Sequence, residues 1–260
     1  MSDRLPPPLT DHDTWAAALA ELRVREKAAT RELDAIAAQR RRLPMVEMPD
    51  YILTGLDGPI RLVDIFDGLS QLIVYNHMWT ESEKYQCPGC TGYTTQFSRL
   101  DYLADYDARF VIITHGPIDE ALAYKNRVGN RMDWYSSAGT SFSADVDAAP
   151  GEGGFAINVF LRDGDTVYRT WHTTGRGTEQ LGFTFGLLDV LPWGGRQEEW
   201  QDSPAGWPQS PHVLTVARLG RHRRRLRRRH AVSFADRTAG RRSQESPSVR
   251  PGTFQATLEQ

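Results

Sequence analysis

The pattern of apolar and polar positions separates a helical N-terminal part from a part made of short strands. Between residues 14 and 42 apolar residues recur every three to four positions, and charged residues fill the gaps, as in an amphipathic helix. Pro44 ends the pattern, because proline cannot continue a helix. We predict one helix over residues 14–42, capped by Asp13 or Thr14 and docked on the rest of the protein. Its apolar positions are Trp15, Ala18, Leu19, Leu22, Ala29, Leu33 and Ile36.

From Tyr51 onward, strand patterns and helix patterns alternate along the chain. Short apolar runs bounded by glycine or proline predict the strands, and Asp163-Gly164 predicts a tight turn between the last two. The order is βαβα followed by a β-hairpin and a helix, which is the thioredoxin arrangement: an α/β three-layer sandwich. The predicted strands cover 51–53, 60–63, 71–75, 110–114, 155–161 and 166–173, and the predicted helices cover 88–105, 118–128 and 179–190.

Both cysteines of the chain lie in one tetrapeptide, Cys87-Pro88-Gly89-Cys90, between strand 71–75 and a predicted helix. Two thiols at this spacing can close a small disulfide or share one metal ion. If Pro88 is the first helical residue, Cys87 is the N-cap, and the positive end of the helix favours its thiolate. Cys90, one turn later, suits the resolving role. We therefore predict a redox-active pair in which Cys87 attacks and Cys90 resolves.

Three further residues are predicted to bind the substrate. Pro88 and Gly89 lie between the two cysteines, and Trp79 follows strand 71–75 at the rim of the same cleft. The indole of Trp79 can cover the disulfide and offer an apolar contact, although packing of the loop explains this residue equally well. The expected substrate is a protein disulfide or a small-molecule disulfide, and no cofactor or resident metal is required.

Metal binding is the alternative use of the cysteine pair. A CxxC motif is half of many zinc sites, but the chain has no second CxxC to complete one. His77, His115 and His172 follow or end predicted strands and can approach the same edge. The alternative function is thus a metal-binding or non-catalytic scaffold protein on a thioredoxin-like fold. Peroxidatic chemistry at Cys87 is a further possibility.

The charges of the chain are unevenly distributed. Residues 211–260 contain 12 arginines and 3 acidic residues, a net charge of +9, whereas the rest carries 19 basic and 30 acidic residues, a net −11. The arginine-rich run 221–230 can neutralise phosphates only in a sequence-blind manner. Since the tail has little periodicity and few apolar residues, we expect it to be disordered. Nucleic-acid binding is expected only non-specifically, through this tail.

Other features of the composition narrow the cellular context. No apolar run approaches the length of a membrane span, and the first residues lack the apolar segment of a secretory signal. With two thiols and no disulfide framework, the expected location is the reducing cytoplasm. The sequence indicates neither the electron donor nor the oligomeric state.

Several segments together resemble a bacterial family of uncharacterised proteins, domain of unknown function 899. They are 41–46 (RRLPMV), 72–79 (LIVYNHMW), the CPGC pair, 168–171 (YRTW) and 187–196 (LLDVLPWGGR). The resemblance implies a thioredoxin-like fold with a helical extension at its N-terminus, and it implies no particular substrate. Ordinary thioredoxins also place a cis-proline opposite the disulfide, whereas here Ala156 falls near that position.

The resemblance extends over about residues 14–208 and sets the expected domain organisation. We predict a helical extension over 1–45, a thioredoxin-like domain over 46–208 and a disordered arginine-rich tail over 209–260.

Overall fold

The protein is described by a computed structural model over residues 7–149 and 154–192. Its helices are α1 His12–Arg40, α2 Pro88–Thr95, α3 Ile118–Val128, α4 Phe142–Asp145, α5 Arg176–Glu179 and α6 Phe183–Asp189. Its strands are β1 Val46–Glu47, β2 Ile52–Gly55, β3 Gly58–Arg61, β4 Gln71–His77, β5 Ala108–Thr114, β6 Asp133–Ser136, β7 Ala156–Asp163 and β8 Thr166–Thr173. Two 3₁₀ helices cover Leu62–Phe66 and Asp101–Tyr106.

The strands form one mixed sheet with β4 at its centre. The sheet has 8 strands in the order β1-β8-β7-β4-β5-β6-β2-β3. Strand β4 runs parallel to β5 on one edge and antiparallel to β7 on the other, and the β7–β8 hairpin turns at Gly164-Asp165, directly after Asp163, which is the predicted place. The CPGC segment follows the carboxyl end of β4. This connection of strands and helices is thioredoxin-like, and it confirms the predicted fold class.

Alternate residues of the central strands face two separate cores. Along β4, Leu72 and Val74 belong to one buried cluster, whereas Ile73 and Tyr75 pack in the other, because successive side chains point to opposite faces of a sheet. The first core includes the 3₁₀ helix Leu62–Phe66 and α4; the second includes residues of α2 and α3. Helical segments therefore cover both faces, which confirms the three-layer sandwich.

The predicted helix 88–105 is wrong in its second half, where the chain leaves α2 and forms a short 3₁₀ helix. The amide of Gln96 explains the break. Its Nε2 donates to the carbonyl of Tyr93 over 2.8 Å, and its Oε1 accepts the backbone N–H of Thr184 over 2.8 Å. Gln96 thus bonds the last turn of α2 and the start of α6, two segments that are distant in sequence.

Two other boundaries also differ from the predictions. The predicted helix 179–190 is divided into α5 and α6, and Gly182 lies between them, where a Cβ would come within 2.6 Å of Phe185. Strand 60–63 ends early, because Leu62 already begins a 3₁₀ helix. Strands β1 and β6 were not predicted, since they are 2 and 4 residues long and lack an apolar run.

Helix α1 begins and packs differently from the prediction. Its N-cap is Asp11, not Asp13 or Thr14, because the Asp11 carboxylate accepts both the N–H and the hydroxyl of Thr14 over 2.8 Å. No residue of α1 is buried in the described structure. Its last turn contacts the sheet, where the Arg40 guanidinium lies 5.0 Å from the centre of the Trp171 ring. Helix α1 therefore docks on the sheet near Arg40, whereas apolar residues nearer its start, such as Trp15 and Leu22, stay exposed.

The predicted tail over 209–260 lies outside the described residues, and so does the Pro-rich start of the chain, residues 1–6. Within residues 7–149 and 154–192, none of the helices combines the length and the apolar character that crossing a membrane requires.

Candidate functional site

The CPGC segment forms the first turn of α2. Pro88 is the first helical residue and Cys87 is the N-cap, as predicted, and the Cys87 sulfur accepts the backbone N–H of Cys90 over 3.5 Å. Both thiols are free. Cys87 is half-buried and Cys90 is buried, with 2% of its surface exposed. The geometry therefore presents one accessible sulfur and shields the other.

Hydrogen bonds at the start of α2 favour the thiolate of Cys87. The Cys90 thiol donates to the Cys87 sulfur, and the backbone N–H groups of Cys90 and Gly89 add to this effect. Together they outweigh burial and lower the pKa of Cys87 from 9.0 to about 6. Cys87 is thus mostly thiolate at neutral pH, which is the form that attacks disulfides.

The pKa of Cys90 moves in the opposite direction. Its bond to the Cys87 sulfur and its burial hold this pKa well above the ordinary value. Two donors act against the shift, namely the hydroxyl of Tyr75 and the backbone N–H of Met78. Tyr75 is 1% exposed, and its ring stacks on Tyr93 with centroids 4.9 Å apart. The pair therefore consists of an accessible thiolate and a buried thiol beside a tyrosine hydroxyl.

Residues around the pair hold Cys87 in place. The Thr91 hydroxyl donates to the carbonyl of Cys87 over 2.8 Å and lies 2.7 Å from the Tyr124 hydroxyl. Gln86 braces the preceding loop: its Oε1 accepts the N–H of Thr80 over 2.6 Å, and its Nε2 donates to the carbonyls of Thr80 and Glu83.

The sequence gives little indication of these supporting roles. For Gln86 the only sequence signal is its position directly before Cys87. Tyr75 could be noticed as a polar hydroxyl inside an apolar strand pattern.

The three predicted substrate-binding residues occupy different environments. Gly89 is exposed and Pro88 is half-buried, so both are open to a partner beside Cys87. Trp79 is 7% exposed, and its ring meets Tyr124 edge-on with centroids 6.0 Å apart. It also covers Gly116, where a Cβ would lie 2.3 Å from the indole. Trp79 therefore packs beneath the loop, and its contact with a substrate stays a prediction.

In the described residues, the three histidines expected to support metal binding do not form a set of ligands with the cysteine pair. His77 is buried, its Nδ1 donates to the carbonyl of Met78 over 2.7 Å, and burial lowers its pKa to about 4. His172 lies 3.9 Å from Asp147, and burial lowers the pKa of His115, which bonds the backbone of Trp79. Across residues 7–149 and 154–192, the structure contains no group of three His, Cys, Asp or Glu side chains able to hold a metal ion.

The position expected for a cis-proline is the start of β7. Ala156 is the first residue of this strand and pairs with Asn76 of β4. No cis peptide bond occurs in the described residues.

Residues 5–213 match the family described as bacterial protein of unknown function (DUF899). The chain belongs to this family. No curated protein matches the sequence.

Solved structures with partial similarity include peroxidoxin BcpB from Mycobacterium tuberculosis, at 18% identity over 51% of this chain and 85% of that one, with a TM-score of 0.39. A putative thiol:disulfide interchange protein DsbE from Chlorobium tepidum is 17% identical over 53% of this chain and 91% of that one, with a TM-score of 0.37. A yeast mitochondrial 1-Cys peroxiredoxin is 16% identical over 63% of this chain and 84% of that one, also with a TM-score of 0.37. The fold assignment here depends on strand order and on the place of the CPGC helix.

Replacing Cys90 tests the origin of the lowered Cys87 pKa. In Cys90→Ala the donor to the Cys87 sulfur is lost, so we expect the pKa of Cys87 to rise from about 6 toward 9.0. Cys90→Ser keeps a hydroxyl that can donate to the Cys87 sulfur, so the pKa of Cys87 should stay at about 6. The rate of alkylation by iodoacetamide, followed from pH 4 to 10, gives the pKa, because the rate increases with pH as the thiolate forms. Equal pKa values in the two variants would contradict this cause.

Gly116 tests the packing of Trp79. A Gly116→Ala side chain would overlap the indole, and we expect a loss of roughly 1–3 kcal/mol in the free energy of unfolding. Gly186 in α6 is the matched control, because a Cβ there meets nothing within 4 Å. Gly186→Ala should leave stability unchanged or raise it by up to ~1 kcal/mol. Urea denaturation measures both, and an equally stable Gly116→Ala would refute this contact.

Proposed function

We propose that this protein is a thiol–disulfide oxidoreductase. The observation that carries the proposal is the contrast between the two cysteines. Cys87 is accessible and has a pKa lowered to about 6, whereas Cys90 is buried and has a raised pKa. This division suits a nucleophile that attacks first and a second thiol that waits until a mixed disulfide has formed.

The proposed reaction has two steps. The Cys87 thiolate attacks one sulfur of a substrate disulfide, forms a mixed disulfide and releases the other sulfur as a thiolate, which takes a proton from water. Cys90 then loses its proton to solvent and attacks the Cys87 sulfur. This closes the Cys87–Cys90 disulfide and releases the second substrate thiolate, which is protonated in turn. The substrate disulfide gains two electrons, and the protein dithiol is oxidised by the same two.

Tyr75 is proposed as a positioning residue for the second step. Cys90 must lose a proton inside the protein, where burial disfavours its charged form. The Tyr75 hydroxyl and the Met78 N–H already donate to the Cys90 sulfur, and both bonds strengthen when the sulfur becomes negative. The proton of Cys90 goes to solvent, so neither group has to accept it. Their role is to stabilise the Cys90 thiolate once it has formed.

The surroundings of Cys87 suit a protein disulfide or a small-molecule disulfide. Gly89 and Pro88 leave one side of the cysteine open, and this open side is where we place the substrate. Trp79 contributes by holding the loop under the site. The chemistry uses only the two cysteines and a disulfide, so no cofactor enters it, and we propose that it proceeds in the cytoplasm.

Peroxide reduction is the second candidate, favoured by the same accessible thiolate. Cys87 would attack one peroxide oxygen, becoming a sulfenic acid and releasing water or an alcohol. Cys90 would then condense with the sulfenic acid to form the disulfide and release water. Stopped-flow mixing of the reduced protein with hydrogen peroxide separates the two functions, because only a peroxidatic site reacts much faster than a free cysteine of the same pKa.

Ellman's reagent follows both proposed steps in one experiment. Attack by Cys87 releases a first nitrothiobenzoate, and resolution by Cys90 releases a second. We expect Cys90→Ser to release only the first and to retain the label on Cys87, as mass spectrometry would show. Cys87→Ser should react slowly, because Cys90 is buried and protonated. If Cys87→Ser reacts as fast as the unmodified protein, the assignment of the nucleophile is wrong.

The same assay tests Tyr75 by comparing the two releases. Tyr75→Phe removes one donor to the Cys90 sulfur, and we expect the second release to slow about tenfold, since a hydrogen bond to a charged group contributes about 1.5–3 kcal/mol. The first release should keep its rate. Tyr93→Phe is the matched control, because Tyr93 stacks on Tyr75 but the described contacts include no bond from it to a sulfur. Equal slowing in both variants would indicate a packing effect.

A further inference from the structure

Helix α1 carries an exposed stripe with the spacing of a coiled coil. Its positions are separated alternately by four and three residues, which is the 3.5-residue repeat of a coiled-coil seam. The stripe consists of Trp15, Leu19, Leu22, Glu26, Ala29, Leu33, Ile36 and Arg40.

Within the described chain this seam is left largely uncovered. Trp15 is 54% exposed, Leu22 47% and Leu33 56%, and no residue of α1 is buried. The helix has 29 residues and is thus about 43 Å long, and its contact between Arg40 and Trp171 of the sheet lies at its last turn. Large apolar side chains in a regular row on a long helix are typical of a surface that another helix covers.

We propose that α1 pairs with α1 of a second copy of this chain as an antiparallel two-stranded coiled coil. In the register that aligns the whole seam, Glu26 lies opposite the partner's Ala29, a small residue that leaves its carboxylate room to reach water. Leu19 then packs against the partner's Ile36, and Leu22 against the partner's Leu33. By symmetry each of these layers occurs twice.

The charges beside the seam select this register. Arg25 flanks the seam on the side where antiparallel helices approach each other, and in this register it faces the partner's Glu32, giving two opposite-charge pairs per dimer. A shift of one heptad in one direction would place Arg25 against the partner's Arg25. A shift in the other direction would place Glu32 against the partner's Glu32. Both shifted registers bring like charges together.

The charges within the seam disfavour the parallel arrangement. In a parallel dimer in register, Glu26 would face the partner's Glu26, and Arg40 would face the partner's Arg40. In the antiparallel dimer Arg40 meets the partner's Trp15 instead. The Arg40 guanidinium already lies 5.0 Å from the ring of Trp171, so the exposed ring of the partner's Trp15 would join an existing cation–π contact.

Charge reversal at the flanking pair tests both the dimer and its register. We expect the full chain to sediment as a dimer, and Arg25→Glu or Glu32→Arg alone to weaken dimerisation about tenfold, because two attractive pairs become repulsive. The double variant Arg25→Glu with Glu32→Arg restores both pairs and should recover the affinity. These side chains are exposed, so circular dichroism should show unchanged folding in all three variants.

Cysteine cross-linking tests the orientation independently. In a Cys87→Ser, Cys90→Ser background, Leu22→Cys with Leu33→Cys should give a covalent dimer on mild oxidation, whereas Leu22→Cys alone should not. A covalent dimer from the single variant would mean parallel helices and overturn the proposal. A full chain that is monomeric at every concentration, or a dimer that charge reversal leaves unchanged, would overturn it as well; the first result would leave α1 single or covered by its own chain.

Discussion

The burial of β4 between two cores is the constraint on which the rest of the structure depends. This strand is hydrogen-bonded along both edges, to β5 and to β7, and its alternate side chains enter separate apolar clusters. Such a strand cannot shift by one residue without moving each set of side chains into the wrong core. Its carboxyl end is therefore a fixed point, and the segment with the two cysteines starts from it.

The chemistry of the site follows from how α2 returns to this fixed strand. Because α2 packs on the same face as Tyr75, its first turn brings Cys90 against the strand and leaves Cys87 at the open end. Hydrogen bonding then acts differently on two residues of the same type. Backbone and thiol donors lower the pKa of one sulfur, while the other becomes the donor and keeps its proton. One helix start thus gives the two cysteines different reactivities.

The N-terminal helix obeys a different constraint from the domain. The domain buries its apolar residues within itself, whereas no residue of α1 is buried and its contact with Trp171 lies near its end, at Arg40. A helix with such a row of apolar residues gains most of its stability from what packs on it. Self-pairing would supply that packing and would also set two CPGC sites on one assembly, each on its own sheet.

Local features of the sequence determined the elements whose causes lie within a few residues. Helix α3 matches its predicted bounds because Pro117 precedes it and Gly129, with a φ of 69°, ends it. The spacing of Cys87, Pro88 and Cys90 likewise sufficed to predict an N-cap sulfur, since capping depends only on adjacent backbone groups. The continuous apolar runs at 71–75 and 110–114 were enough to predict β4 and β5 as strands.

Only the tertiary structure decided features that join distant residues. The hydrogen bond that the Thr184 N–H donates to the Gln96 side chain, at the end of α2, spans 88 positions, and no local preference encodes it. The donors at Cys90 come from Tyr75 in β4 and from Met78 directly after it. Trp79 lies under the loop because Gly116 leaves space for its ring. The seam of α1 stays largely uncovered. The physical reason is common to all of these. A periodic pattern states that a residue must be buried or bonded, but which partner satisfies it depends on the arrangement of the whole chain.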